Sequence, residues 1–152
     1  MHMLTLANCR LVGTAVEHHT LYEYQFANTQ NIFAGQIQTE NPYYQPNPPA
    51  PGPWPFNSGL NDPSFPTNNV NGVPAANAWG LRILNSNNIF IYGAGLYSFF
   101  DNYSTTCSNQ GGTENCQNTV FSLEGSSSNV NIYNLNTVGV VSSQKKKKKM
   151  EI

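Results

Sequence analysis

The chain has 152 residues, about the length of one domain, a formal net charge of −1 and only 10% charged residues. Five of its seven cationic residues are the consecutive lysines 145–149, so residues 1–144 alone carry a net charge of −5. An acidic body of this kind is not attracted to nucleic acid. No run of 18 apolar residues indicates a transmembrane helix, so neither nucleic acid nor a membrane is an expected partner.

The low charge, together with abundant Asn, Ser, Thr, Gly and Pro, is typical of secreted β-rich proteins. The first residues, MHMLTLANCRLVG, have no long apolar run and no cleavage-like end. They therefore do not form a convincing signal peptide.

Four segments share one pattern, a short apolar strand, a polar turn rich in Asn and Ser, and a second apolar strand. They are residues 4–12, 24–33, 81–92 and 121–133. In three of them an asparagine precedes the second strand (Asn31, Asn88, Asn129), where its amide can bond to the coil above. Stacked coils bury a core that no single coil can bury. The pattern predicts an all-β fold, best interpreted as a right-handed parallel β-helix of the pectate-lyase-like kind. An antiparallel sandwich also has many short strands but does not explain the repeat.

Two glutamates, Glu17 and Glu40, bracket the alternating strands of the second segment. Their separation in sequence is about one coil of a parallel solenoid, which is about 20 to 25 residues. One coil apart, the two carboxylates would stack about 4.8 Å apart on neighbouring strands. Like charges at that distance favour keeping one proton, and a protonated carboxyl is what a glycosidase needs to protonate a leaving sugar oxygen. The spacing is also compatible with two unrelated surface residues.

Two loop insertions interrupt the repeat. Residues 41–78 contain all ten prolines and five aromatic residues, and residues 101–117 follow an apolar strand. Proline at this density excludes a central strand, and so long an irregular segment is usually functional. The first loop leaves directly after Glu40 and should arch over its face. Its aromatic rings either stack on sugars or attach the loop to a neighbouring domain.

The second insertion contains Cys107 and Cys116, which bracket a polar interval that a disulfide could close. Asn102 begins a glycosylation sequon on the same loop, and together these features point to the secretory route. Cys9 is left over, and we expect it to be a buried free thiol. The spacing of the cysteines and histidines does not suggest zinc, so we predict neither a metal nor a cofactor.

The end of the chain departs from the composition before it. Residues 142–152 hold the lysine run, which reads either as a basic patch or as translation into an adenine-rich stretch. We interpret these residues as a disordered, artefactual tail without function. The folded part is then expected to be residues 1–141.

Long stretches of the chain resemble a known family. They are VEHHTLYEYQFANTQNIFAGQIQTENPYYQPNPPAP, SGLNDPSF, AWGLRILNSNNIFIYGAGLYSFFDNYSTTCSNQGGTENCQN, FSLEG and YNLNTVG, spread from about Gly13 to Val138. These stretches resemble the C-terminal part of fungal exo-β-1,3-glucanases of glycoside hydrolase family 55. The resemblance implies secreted, inverting enzymes that act on laminarin-type glucans, built from two tandem right-handed β-helix domains with a cleft between them. It makes this chain the last coils of the second domain.

The resemblance also implies roles for particular residues. The general acid in the family is a glutamate of the second domain, with another essential glutamate one coil earlier, and this spacing assigns the acid to Glu40 and a tuning or substrate-holding role to Glu17. The reverse assignment stays open. The residues that position the attacking water belong to the missing N-terminal β-helix domain. A fragment without them is expected to be inactive alone.

Several further residues are candidate substrate contacts because they lie near Glu40 or Glu17 in sequence or are aromatic residues of the proline-rich loop. They are His18, Tyr43, Tyr44, Gln45 and Trp54. His18 and His19 adjoin Glu17, and a structural role is the default for both. Two other functions remain open, a non-catalytic polysaccharide-binding β-solenoid and a truncated product without a cellular role.

Overall fold

The computed structural model describes residues 2–4, 7–142 and 145–146. Within them the regular structure consists of strands and two single-turn 3₁₀ helices, Ser58–Leu60 and Thr106–Ser108. The strands are β1 (His2–Leu4), β2 (Ala7–Glu17), β3 (Tyr22–Ala27), β4 (Gln30–Glu40), β5 (Trp79–Leu84), β6 (Asn87–Tyr97), β7 (Gln117–Thr119), β8 (Phe121–Glu124), β9 (Ser128–Val138), β10 (Val140–Ser142) and β11 (Lys145–Lys146). The prediction of an all-β protein is confirmed. No described helix is long and apolar enough to span a membrane.

The strands form three parallel sheets. The largest has the order β1-β3-β5-β8-β11, a second has the order β2-β4-β6-β9, and β10 pairs with β7. Each strand therefore pairs with a strand one circuit away in sequence, not with its immediate neighbour. Parallel pairing of this kind needs a long crossover between partners, and here the crossover is a strand of the other sheet. The antiparallel alternative is wrong for these strands, because every strand pairing is parallel.

The core lies between the two larger sheets, where alternate residues of each strand face inward. Tyr24, Phe26, Leu81 and Ile83 come from one sheet, and they are fully buried. The other sheet contributes Ile32, Ala34, Ile37, Ile89, Ile91 and Leu96, all 1% exposed or less. The β-branched and aromatic residues of the alternating segments therefore supply the apolar surface that joins the sheets.

An asparagine ladder runs across the four-stranded sheet near the start of its strands. Asn31 Nδ2 donates to Asn8 Oδ1 (3.1 Å), Asn88 Nδ2 to Asn31 Oδ1 (2.9 Å), and Asn129 Nδ2 to Asn88 Oδ1 (2.7 Å). All four residues have positive φ, between 47° and 62°, a conformation that asparagine tolerates better than most side chains. The predicted amide bonding between coils is confirmed.

The two loop insertions are held by different means. Residues 41–78 contain one 3₁₀ turn and one isolated antiparallel bridge, Val70 to Val73, before β5 begins. The second loop ends where β7 begins at Gln117, and a disulfide joins Cys107 to Cys116 as predicted. Asn102 is exposed on this loop, so its sequon is accessible in the folded chain.

Two expectations differ from the structure. Cys9 is free, but it is partly exposed and not buried. The predicted disordered tail includes Ser142, Lys145 and Lys146, and the structure places these residues in β10 and β11, where β11 pairs with Ser122 and Leu123 of β8. The rest of that tail lies outside the described residues.

Candidate active site

The two glutamates singled out in the sequence occupy the same position on neighbouring strands. Glu17 ends β2, Glu40 ends β4, and the two are register partners in the parallel pairing. A carboxylate oxygen of each lies within 4.8 Å of the other. The next strand of the sheet has Tyr97 at this position, so the paired acids belong to the first two strands. One circuit of the chain therefore brings the two carboxylates together.

His18 completes the cluster. Its Nε2 lies 3.1 Å from Glu40 Oε1, and its backbone N–H donates to the carbonyl oxygen of Glu40 at 3.0 Å. These contacts are possible because the chain turns sharply after β2, with His18 in the left-handed region at φ 62°. His18 and Glu40 are partly exposed, with side-chain exposures of 29% and 20%, so solvent and small ligands can reach them.

The proline-rich loop contacts this cluster through Tyr43. The rings of His18 and Tyr43 lie with centroids 4.2 Å apart, and Tyr43 also packs edge-on against Phe100 at 4.6 Å. Asn41 links the loop to the sheet, because its Oδ1 accepts a hydrogen bond from Phe99 N at 2.8 Å. The backbone N–H of Tyr103 donates to the carbonyl oxygen of Tyr43 at 2.7 Å, so the disulfide loop also holds the backbone of Tyr43.

Two other predicted contacts are used within the protein. Gln45 is fully buried; its Nε2 donates to the Thr20 carbonyl at 2.8 Å and its Oε1 accepts from Ala78 N at 2.7 Å. This arrangement favours a structural role, fixing the loop to the strand corner. The Tyr44 hydroxyl lies 3.1 Å from Thr20 Oγ1, close to the same corner and partly exposed.

Trp54 lies in a separate hollow of the proline-rich loop. It is 61% exposed, and Phe56 beside it is 68% exposed. The hollow has a volume of about 440 Å³ and is lined by Leu21, Pro51, Gly52, Pro53, Trp54, Pro55, Phe56, Asp62 and Pro63. An aromatic wall with one carboxylate is the kind of surface on which a sugar ring could stack.

A third carboxyl group near the pair was not found from the sequence. Glu23 lies on β3, is 1% exposed, and contacts His19 through both oxygens. The pKa of Glu23 is raised to about 8, chiefly by burial and to a smaller extent by the charges of Glu17 and Glu40, against the lowering effect of the His19 backbone hydrogen bond. The only sequence signal was an acidic residue inside the strand-like run YEYQF, which also fits a solvent-facing position.

Glu17, His18 and Glu40 are also ligand types that metals accept. Their three ligand atoms lie within 4.8 Å of one another. Three ligands of mixed type do not identify a metal, since clustered acidic groups also serve proton transfer. The prediction of no metal and no cofactor stays a prediction.

The sequence of the chain is similar to those of known fungal proteins. No family model matches the chain. It is 46% identical over 136 residues to a protein of Cochliobolus carbonum named glucan 1,3-beta-glucosidase, an alignment that covers 88% of this chain. The chain is a homologue of part of a fungal glucan 1,3-beta-glucosidase.

Two other relatives also match most of this chain. A protein of Arthroderma benhamiae named probable glucan endo-1,3-beta-glucosidase is 49% identical over 107 residues, 70% of this chain. A Penicillium expansum protein named non-secreted LysM effector LysM15 is 38% identical over 133 residues, 86% of this chain. The alignments with this chain cover only 16%, 12% and 8% of the lengths of these three relatives.

Proposed function

We propose that the chain is the acid-bearing part of a β-1,3-glucan hydrolase, with Glu40 as general acid and Glu17 as the residue that tunes or supports it. One observation carries the proposal, namely that Glu17 and Glu40 are register partners with carboxylate oxygens within 4.8 Å. The names of two relatives, glucan 1,3-beta-glucosidase and probable glucan endo-1,3-beta-glucosidase, supply the substrate class.

The chemistry follows from the two carboxylates being so close. The proposed reaction needs one of the two, Glu40, to enter it as the carboxylic acid and to donate its proton. That proton can pass to the glycosidic oxygen as the bond to the anomeric carbon breaks, and a water molecule then supplies the new oxygen of the released sugar. His18 holds Glu40 Oε1 at 3.1 Å and so fixes which way the carboxyl group faces.

The separation also limits what Glu17 can do. Inverting glycosidases hold their acid and base about 6.5 to 9.5 Å apart to admit a water molecule between them. The pair here is closer than that. Glu17 is therefore too close to Glu40 to be the base of an inverting enzyme. The resemblance assigns the base to the N-terminal domain, so the chain alone is expected not to turn over glucan.

The architecture proposed for the chain is a right-handed parallel β-helix. It is supported by the parallel sheets, by strands that alternate between them, and by the asparagine ladder. In the family that the sequence resembles, an N-terminal β-helix domain packs beside this one, and we propose that domain as the partner. Secretion of the whole protein is supported by the disulfide and by the exposed sequon at Asn102.

Substrate contacts are proposed for Tyr43, Tyr44 and His18 beside the acid and for Trp54 in its separate hollow. Tyr43 is 44% exposed and lies against His18, so one face of this small cluster is open. Aromatic rings suit sugar binding because the apolar faces of pyranose rings pack on them. Gln45 is left out of this set because both ends of its amide are bonded within the protein.

The test is a chimera in which this chain replaces the aligned segment of the Cochliobolus carbonum relative. We expect laminarin hydrolysis by the chimera and a loss of about 100-fold or more in kcat on Glu40→Gln, since general acid catalysis contributes about 10² to 10⁴. Glu114→Gln, an exposed acid of the disulfide loop, is the matched control and should retain activity. Unchanged hydrolysis by the Glu40 variant would refute the assignment.

A second candidate function is binding of polysaccharide without hydrolysis. It is favoured by the exposed rings of Trp54 and Phe56 around one hollow. Calorimetric titration of the 152-residue chain with laminarin oligosaccharides tests it. Binding that Trp54→Ala abolishes, combined with an inactive chimera, would favour this function, and absence of binding to the chain would reject it.

A further inference from the structure

Glu23 is a buried acid for which the proposed hydrolysis has no direct use. It lies on β3 next to the turn that follows β2, and its side chain is 1% exposed. The other buried glutamate in the described residues, Glu124, forms a two-bond ion pair with Arg82, at 2.9 Å and 3.0 Å. Glu23 instead contacts a histidine of the active-site turn. A buried carboxyl is costly unless it is neutral or well bonded, so its placement calls for a physical cause.

Both oxygens of Glu23 hold the same residue. The backbone N–H of His19 donates to Oε1 at 3.0 Å, and His19 Nδ1 lies 2.8 Å from Oε2. The two bonds close a turn of five residues, 19–23, which leads into β3. His18 lies directly before this turn, has φ 62° and reaches Glu40 through both its backbone and its ring. A non-glycine residue in this conformation is strained and persists only where its surroundings hold it.

The protonation states fit this contact. Burial raises the pKa of Glu23 to about 8, with Glu17 and Glu40 adding to the rise, while burial lowers the pKa of His19. Below about pH 8 the Glu23 carboxyl therefore keeps its proton, and it can donate this proton to Nδ1 of the neutral His19 imidazole, the form that burial favours. The clamp thus adds no third negative charge beside the glutamate pair.

We propose that Glu23 is a positioning residue, which clamps His19 and thereby keeps His18 in contact with Glu40 and Tyr43. The proposal deepens the proposed function and rests on it only for the effect on catalysis. The effect on the position of His18 is a property of this chain alone. It can therefore be measured whether or not the chain is part of a hydrolase.

The structural test uses NMR spectra of the histidine and tyrosine rings in the 152-residue chain. In the wild type we expect nuclear Overhauser effects between the rings of His18 and Tyr43, whose centroids are 4.2 Å apart, and an Nε2–H tautomer for His18. Glu23→Ala should remove the ring contacts and mix the tautomers. Glu23→Gln should keep both, because its amide can accept from His19 N and donate to His19 Nδ1.

Two further variants keep this test decisive. Glu124→Gln removes a buried charge far along the sheet, so it should lower stability without changing the His18 signals. If Glu23→Ala does not fold, His19→Ala removes one of the two clamp bonds at a ring that is 58% exposed, and it should weaken the same ring contacts. Unchanged His18 signals in Glu23→Ala, or in His19→Ala if Glu23→Ala does not fold, would overturn the proposal.

The kinetic test uses the chimera with the Cochliobolus carbonum relative. Glu23→Ala should lower kcat about tenfold or more, with a smaller change in KM, since small displacements of catalytic groups have effects of this size. Glu23→Gln should restore kcat below about pH 7, where the wild-type side chain is neutral. Equal losses in both variants would contradict a positioning role. An inactive wild-type chimera would reject the hydrolase function while leaving the NMR result to decide the position of His18.

Discussion

The ring of Tyr43 lies against the imidazole of His18, and the same tyrosine packs edge-on against Phe100. One aromatic side chain therefore connects the proline-rich loop, the turn after β2 and the start of the disulfide loop. Because the His18 imidazole also bonds to Glu40, the position of Tyr43 affects the candidate acid through a single intermediate residue.

The first prediction concerns this ring. Tyr43→Ala in the chimera should reduce kcat/KM about tenfold or more, because His18 loses the surface on which it rests. Tyr43→Phe keeps the ring and should retain most of the activity. Tyr103→Ala removes a neighbouring tyrosine that is 69% exposed, and steady-state kinetics on laminarin should show little change for it.

The second prediction concerns the asparagine ladder. Asn88 donates to Asn31 and accepts from Asn129, so Asn88→Ala loses two hydrogen bonds and places alanine at φ 53°. We expect the free energy of unfolding in urea to fall by about 2 to 3 kcal/mol. Asn88→Gly should lose less, since glycine accepts the backbone conformation.

Asn136→Ala is the matched control for the ladder, because Asn136 is exposed on the same sheet and its φ is not positive. Its effect should stay within about 0.5 kcal/mol. Equal destabilisation by the alanine variants at 88 and 136 would show that the ladder contributes nothing specific.

The third prediction is a pH dependence. The pKa of Glu23 rises from 4.5 to about 8, chiefly through burial, so the folded chain binds this proton more tightly than the unfolded chain. The contribution to stability is fully present below about pH 4.5 and is lost as the pH rises to about 8. Glu23→Gln cannot ionise and lacks this loss.

Urea unfolding of Glu23→Gln and wild type at several pH values tests this dependence. The free energy of unfolding of the variant, relative to wild type, should increase steadily between about pH 5 and pH 8. Glu114→Gln, which removes an exposed acid, serves as the control for the general effect of losing one carboxylate. A constant difference between Glu23→Gln and wild type would show that Glu23 is ionised throughout this range.

The fourth prediction concerns the buried pair under the proline-rich loop. Arg82 bonds to both oxygens of Glu124 and to Gln25 Oε1 and the Asn61 carbonyl, so it fixes the loop to the outer face of the sheet. Arg82→Met leaves Glu124 buried without this partner. The free energy of unfolding should fall by about 3 to 5 kcal/mol.

Limited proteolysis provides the second measurement for Arg82→Met. Cleavage near residues 57–62 should become faster in the variant, since Gln25 and Arg82 hold this part of the loop. Arg10→Met, at the exposed arginine, is the control and should change neither stability nor cleavage. Equal cleavage rates in all three proteins would show that the loop is held by other contacts.

The repeated parts of the molecule could be predicted from sequence because each follows from a local pattern. Alternating residues such as Ile32 and Ala34 indicated strands, and Asn31, Asn88 and Asn129 indicated the bonding between circuits. The spacing of Glu17 and Glu40 placed them in register. In these cases the information lies within one strand or within one circuit of chain.

The remaining contacts could not be predicted, because they join the loops to the sheets. Nothing in the run YEYQF shows that Glu23 is covered and bonded to His19, and nothing near Gln45 shows that its amide is enclosed. Arg82 and Glu124 are 42 residues apart, with a loop packed over both. Their pairing depends on the path of residues 41–78, which has no periodic signal.

The asparagine ladder has a consequence for how such a protein can change over evolutionary time. Successive ladder residues are separated by 23, 57 and 41 positions, yet each amide meets the next at nearly the same distance. Residues can therefore be added to or removed from the segments between the strands while the ladder asparagines stay aligned. The loops between the strands can therefore differ in length without moving Glu17 and Glu40 at the ends of β2 and β4.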